Sequence, residues 1–202
     1  MIYYKYSTLP SVVLGFHSCD KETGLKIING EEHLKPSTND YDWLGHGIYF
    51  WEQNPIRALQ YAEEVKSGKQ RAKGLIKTPF VIGAIIDLGN CLNLTESSSF
   101  VFLKEAYNSL RLTYEKSGLE LPKNIKGARM LDCAVIMHVH KLWQLRGFPS
   151  YDSVRGAFSE GDAIYDGAMI QNKTHIQICL LSHKSILGYF LPLPVKDANP
   201  YL

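Results

Sequence analysis

The chain has 202 residues, of which 45% are hydrophobic and 21% charged, with a formal net charge of +2. This is the composition of an ordinary globular domain, long enough to bury one core without staples or a partner. So small a net charge argues for neither nucleic acid nor membrane by itself, and no apolar stretch approaches a transmembrane helix in length.

A basic run from Lys66 to Lys77, through Lys69, Arg71 and Lys73, reads either as a solvated loop or as a phosphate-binding patch. Cys19, Cys91, Cys133 and Cys179 form no C-x-x-C pair and lie mostly in or beside apolar stretches. Free thiols in a reducing compartment are expected, with no disulfide and no metal site. Met1-Ile2-Tyr3-Tyr4-Lys5 lacks the basic start and apolar run of a signal peptide, so a cytoplasmic protein is expected.

Taken in chain order, a strand is predicted over Val12–His17, opened by Pro10. Asp20 then caps a helix through Leu25, Ile27 and Ile28, closed by Asn29-Gly30. Glu31 to Gly45 is a polar loop, and Gly47–Trp51 a short strand. Asn54-Pro55 starts a helix, with asparagine as cap and proline in the first turn, and Ile56, Leu59 and Ala62 or Glu63 recur at helical spacing. Phe80–Leu88 is a nearly continuous apolar run, suited to a strand buried on both faces. Residues 97–147 read as a helical insertion. Ser97-Ser98-Ser99 caps its first helix, and Ala128–Leu145 forms its second. Strands return at Asp152–Ala157, Thr174–Leu181 and Ile186–Leu191. The whole is one α+β domain spanning residues 1–202.

Three segments carry candidate chemistry: Gly15-Phe16-His17-Ser18, Gly45-His46-Gly47-Ile48-Tyr49-Phe50 with Arg57–Ala62 behind it, and Lys173-Thr174-His175-Ile176-Gln177-Ile178-Cys179. Each alone is weak, because a histidine at a strand end or two glycines before a strand have plain structural uses. In this order and company they resemble the ADP-ribosyltransferase superfamily, in the branch of diphtheria-like toxins and poly(ADP-ribose) polymerases with a His-Tyr-[Glu/Asp/Gln] motif. The second segment is similar to that branch's G-x-G-I-Y-F motif. The resemblance covers the N-terminal third and the C-terminal fifth, and says little about residues 92–147.

That resemblance implies two packed, mostly antiparallel sheets around a cleft for NAD, which is a co-substrate, with no metal. It also implies roles. His17 hydrogen-bonds a ribose hydroxyl, and the backbone at Ser18 pairs with the nicotinamide carboxamide. Tyr49 offers a face for stacking, worth about 0.5–1.5 kcal/mol beyond area burial. Gly47 and Phe50 border the same site, and Tyr61 is either a second aromatic wall or plain core packing. Splitting nicotinamide from ribose builds positive charge on the sugar, as glycoside cleavage does. The third motif position, Gln177, is neutral, and so lacks the charge stabilisation that a glutamate brings. Polymer formation is thereby put in doubt, and mono-ADP-ribosyl transfer is favoured.

Glu160 is the candidate base or charge partner for the acceptor, the alternative being an ordinary turn carboxylate. Arg155 is a candidate for an NAD phosphate or for pairing with Glu160, the alternative being a surface arginine. Asn39–Leu44 is placed to line the acceptor side. The acceptor is a protein or a nucleic acid, and the resemblance to small toxins and defence proteins suggests a cognate antitoxin. Two other readings stand beside transfer: an NAD glycohydrolase, and a non-catalytic module that binds NAD or ADP-ribose. A splice-junction phosphotransferase is disfavoured, because it calls for several basic residues in the core motifs.

Overall fold

The computed structural model describes residues 12–70, 75–125 and 127–202. The N-terminal pentapeptide, Arg71 and Lys73 lie outside these. The chain begins with β1 (Val12–Asp20) and α1 (Lys21–Ile28), and Asp20 caps α1 as expected, its carboxylate accepting from Glu22 N–H. β2 (Ile48–Glu52) leads into α2 (Pro55–Lys66), where Asn54 caps through Arg57 N–H and Pro55 fills the first turn. β3 (Pro79–Asp87) is the buried apolar strand. After a three-residue β4 (Cys91–Asn93) come α3 (Ser97–Ser117), a small hairpin of β5 (Asn124–Ile125) and β6 (Ala128–Arg129), and α4 (Met130–Leu145). β7 (Ser153–Phe158), β8 (His175–Leu180), β9 (Ile186–Phe190) and the short α5 (Val195–Ala198) complete it. The expected serine cap of α3 is not used: Glu96 occupies the cap position without a side-chain bond, and Ser98 Oγ turns to Glu96.

Seven of the strands join in the order β4-β7-β8-β2-β1-β3-β9, giving a mixed α+β fold around one large, mostly antiparallel sheet. The expectation of two separate packed sheets is therefore corrected: hydrogen bonding is continuous. The sheet is nevertheless strongly curled. β7 stands four places from β3, about 19 Å away if the sheet were flat. Yet Ser153 Oγ, at the start of β7, donates to the carbonyl of Leu88, one residue past β3, at 2.6 Å. The curl encloses a core of Val13, Ile48, Phe50, Phe80, Ile82, Ile86, Ile178 and Leu180, drawn from one face of both halves. The other face carries α2 over Phe16, Trp51 and Val81, and the α3–α4 pair over Val154 and Cys179.

The β4–β7 pair is the parallel one, and parallel neighbours need a long crossover. Residues 97–147 supply it, so the α3–α4 pair is the crossover that this pairing requires as well as an addition to the sheet.

Where β1 and β2 separate

The candidate site follows from a break in strand pairing. β1 runs alongside β3 for nine residue pairs, from Val12↔Asp87 to Asp20↔Pro79. Against β2 it is in register only at Gly15↔Glu52 and Phe16↔Trp51, after which the two strands part. His17 stands at the parting point, and its Nδ1 lies 2.8 Å from the Tyr49 carbonyl. A carbonyl only accepts, so Nδ1 carries the proton and Nε2 keeps its lone pair. Burial holds the imidazole below its ordinary pKa, against the opposing pull of the Tyr49 bond. His17 is therefore neutral at pH 7, with Nε2 an acceptor.

Backbone alternation decides the next residue. Leu14 O accepts from Gln53 N–H on the β2 side, so the even residues of β1 direct their N–H and C=O toward β2. Ser18 is even, and its neighbour across β3, Val81, has both backbone groups engaged by the Asn199 side chain. With β2 diverged, the N–H and C=O of Ser18 face the gap as a donor–acceptor pair. The gap widens into a cavity of about 380 Å³ lined by His17, Ser18, Thr23, Lys35 and Tyr61, among others. Tyr61 reaches it from α2, with its ring 5.0 Å from that of Trp51.

The remaining candidates separate. Tyr49 gives its carbonyl to His17, but its ring packs against the α3–α4 core, and its hydroxyl donates to Gly45 O (2.7 Å) while accepting from Leu44 N–H (3.0 Å). The phenol thus secures the Gly45 turn (φ +82°), a conformation that favours glycine. Gly47 is required by packing: a Cβ there would lie 2.5 Å from Cys179 Sγ and from the Leu180 carbonyl oxygen. Phe50 is fully buried, its ring 5.7 Å from that of His17. Gln177 is in register with Trp51 and so shares the face of Tyr49 and Trp51, while His17 belongs by alternation to the opposite face. Gln177 is not among the residues that line the cavity. Its Oε1 accepts from the Trp43 indole at 2.6 Å.

Arg155 is a correction. It is buried, forms a two-pronged pair with Glu52 (Nε–Oε2 2.5 Å, Nη2–Oε1 2.8 Å), and adds Asn93 and Thr95 through Nη1. Its carboxylate partner is Glu52 rather than Glu160, and nothing in the sequence marks Glu52 as the residue carried opposite it. Glu160 is held by another arginine, Arg57, whose Nη2 donates at 2.9 Å; the other carboxylate oxygen accepts from Gln70. Arg57 is only 3% exposed and also approaches Glu64, which pairs with Lys173 at 2.7 Å. These bonds tie the β7–β8 connection to α2. Nothing in the spacing of Arg57 along α2 marks it in the sequence as buried. His175, expected only as a strand residue, lies beside it, with Nδ1 on Lys173 O and Nε2 buried without a partner.

All four cysteines are free, as expected. Burial raises the thiols, Cys133 to about 11 and Cys19 to about 12, so these sulfurs are poor nucleophiles. Among the described residues no His/Cys/Asp/Glu group could hold a metal ion, and no helix is long and apolar enough to cross a membrane.

No family model matches this chain, and no solved structure does. Over 147 residues it is 25% identical to an uncharacterized protein of Methanocaldococcus jannaschii. The match takes in 71% of this chain and 63% of that protein, so the chain corresponds to less than two-thirds of its relative's length.

Proposed function

We propose that this protein cleaves NAD at its nicotinamide–ribose bond and transfers a single ADP-ribose unit to a macromolecular acceptor. The observation that carries the reading is the conjunction at the β1–β2 gap. A free backbone donor–acceptor pair at Ser18, a neutral imidazole acceptor at His17 and an aromatic ring at Tyr61 border one cavity of about 380 Å³.

These groups match the three parts of the substrate that must be held. A carboxamide offers a donor and an acceptor side by side, which is the complement of the Ser18 pair. The pyridinium ring stacks on an aromatic face. A ribose hydroxyl donates to His17 Nε2, and the Lys35 ammonium is available for a phosphate. With the carboxamide gripped, the glycosidic bond breaks, its electron pair leaves with nicotinamide, and the ribose carbon becomes cationic. An acceptor nucleophile then forms the new bond and gives up its proton. Tyr61, rather than Tyr49, takes the stacking role in this scheme.

Gln177 stands where the resemblance expects the glutamate on which polymer formation leans, which supports one transfer rather than polymer growth. Transfer to water, giving an NAD glycohydrolase, uses the same groups. A role as toxin or defence effector with a cognate antitoxin rests on the family resemblance alone.

The test is incubation of the purified protein with NAD labelled in the adenylate half, together with a cell lysate. Release of nicotinamide with label retained on macromolecules is expected, and protease and nuclease digestion identify the acceptor polymer. Free labelled ADP-ribose alone indicates the glycohydrolase. No nicotinamide release, or release untouched by Tyr61→Ala, refutes the proposal.

A further inference from the structure

Arg57 is paired less completely than Arg155. Arg155 meets Glu52 with both prongs of one guanidinium edge, Nε and Nη2. Arg57 turns the same edge to Glu160, but Nη2 alone is taken, and the second carboxylate oxygen goes to Gln70. Arg57 Nε, beside Nη2 on that edge, is buried without a partner, and so is Nη1. Two neighbours share this condition. The Arg57 guanidinium carbon lies 5.9 Å from the centre of the Trp51 ring, and that ring is 6.2 Å from the His175 imidazole. Trp51 Nε1 and His175 Nε2 are likewise buried and unpartnered, and all three side chains belong to residues more than nine-tenths buried. Each such group costs about 1–3 kcal/mol when left unsatisfied, so four of them in one cluster call for a partner from outside the chain.

Their chemistry names that partner. Arg57 Nε, Arg57 Nη1 and the Trp51 indole only donate. His175 Nδ1 gives its proton to Lys173 O, which leaves Nε2 an acceptor. Three donors, a guanidinium charge and one acceptor complement an oxyanion that keeps a hydroxyl, which is a hydrogen phosphate group. A carboxylate has two oxygens and no hydroxyl to give, so Glu160 fills the seat only in part. Glu64, the other carboxylate near Arg57, is committed to Lys173. Glu160 is free to leave: its side chain is 25% exposed, and the loop base is closed by Lys173 N–H on the Glu160 carbonyl, a bond that survives rotation of the carboxylate.

We propose that Arg57, Trp51 and His175 form a phosphate-binding site in which the Glu160 carboxylate is a stand-in, displaced when a phosphate group arrives. None of the three lines the cavity at His17, and Trp51 belongs to the opposite face of the sheet from His17. The site is therefore additional to the one assigned to NAD, and it does not depend on that reading. Its ligand is free phosphate or a phosphomonoester; a phosphodiester, which has no hydroxyl for His175, is rejected.

The test follows the Trp51 indole N–H in ¹H–¹⁵N spectra, assigned by its loss in Trp51→Phe, at constant ionic strength. Inorganic phosphate is expected to move this resonance saturably, and dimethyl phosphate to leave it in place. Glycerol phosphate binding more tightly than inorganic phosphate assigns the seat to an ester, and the reverse order to the free ion. Glu160→Gln, which removes the competing charge and keeps the bulk, is expected to tighten phosphate about tenfold, and Trp51→Phe, followed by calorimetry, to weaken it by a similar factor, the scale of one hydrogen bond to a charged group. A wild-type resonance indifferent to phosphate overturns the proposal whether or not the variants fold. Equal affinities in wild type and Glu160→Gln, or dimethyl phosphate binding as well as phosphate, overturn it too.

Discussion

Arg155 offers the sharpest separation of structural from catalytic roles. Its guanidinium and the Glu52 carboxylate are 11% and 12% exposed, joined by two parallel bonds, with Asn93 and Thr95 taking a further nitrogen. Arg155→Met fills most of the volume but leaves the Glu52 carboxylate buried without its counter-charge. The expected cost is about 3–5 kcal/mol, much of it the penalty of the stranded charge. Against the roughly 5–15 kcal/mol that holds a domain together, this is a large fraction. Glu52→Leu strands the guanidinium instead, and a loss of similar size is expected. The double variant removes both charges, and its loss is expected to fall well short of the sum, at about 1–2 kcal/mol. Urea unfolding followed by tryptophan fluorescence, with common slopes, measures all four corners of the cycle. Losses that add in the double variant would mean the pair is not coupled. An Arg155→Met protein of wild-type stability with weakened NAD binding would falsify the assignment of this arginine to the sheet and return it to the ligand.

Gly47→Ala places a methyl 2.5 Å from the Leu180 backbone oxygen, which cannot swing aside as a side-chain tip can. A loss of more than about 3 kcal/mol, or failure to fold, is expected in the same unfolding assay; near-wild-type stability contradicts the packing described between β2 and β8. Acid sensitivity follows from the histidines. Burial depresses His17, His140 and His175, and brings His140 to about 4, with its Nε2 buried and unpartnered. Between about pH 6.5 and pH 4 the unfolded chain therefore binds more protons than the folded one, so stability is full above the unfolded pKa and falls as pH drops through this window. The His140 share is at most about 3 kcal/mol. His140→Phe, which keeps a ring beside Tyr151, is expected to unfold at higher urea than wild type at pH 4.5 and to show a shallower pH dependence. Parallel pH profiles for the two proteins would exclude His140 as a source of the sensitivity. Nicotinamide release is expected to hold constant from pH 8 to 6.5 and to fail only below, where His17 Nε2 takes a proton; a rise on acidification contradicts an acceptor role.

The elements legible in the sequence are those whose signal is local. Asp20 and Asn54-Pro55 mark helix starts because a cap satisfies backbone donors within a few residues, and the apolar run at Phe80–Leu88 needs only burial to become a strand. β4 was missed, because three residues carry no period and their place is set by β7, about sixty residues away. The single curled sheet was missed for a related reason: alternation gives each strand two faces but does not say where two strands cease to pair. Of the candidates named through the resemblance, the structure brings His17, Ser18 and Tyr61 to one cavity. The uses of Arg155, Glu160 and Arg57 were not legible, since a charged side chain takes its meaning from the counter-charge that the fold brings to it. Nor does the sequence reveal that Trp43, within the Asn39–Leu44 segment, donates its indole N–H to Gln177.

The same break in pairing that obscured the sheet is what makes a site possible. A strand paired on both edges has no backbone left for a ligand, and an unpaired edge in the open invites aggregation. Here β1 is paired on its β3 side throughout, and on its β2 side only as far as Phe16, so the exposed edge is confined to the few residues that lie under Tyr61. A backbone donor–acceptor pair cannot be abolished by side-chain drift, which makes it a secure grip for an amide. What the arrangement lacks is an uncommitted carboxylate: of those lining the cavity, Asp20 accepts from three backbone N–H groups and Glu32 pairs with Lys26, while Glu160 has both oxygens engaged by Arg57 and Gln70. In the reaction proposed, the rate must come from holding the nicotinamide and expelling water rather than from a carboxylate beside the cation. Such an enzyme is slow, and it depends on its acceptor being in place when the bond breaks.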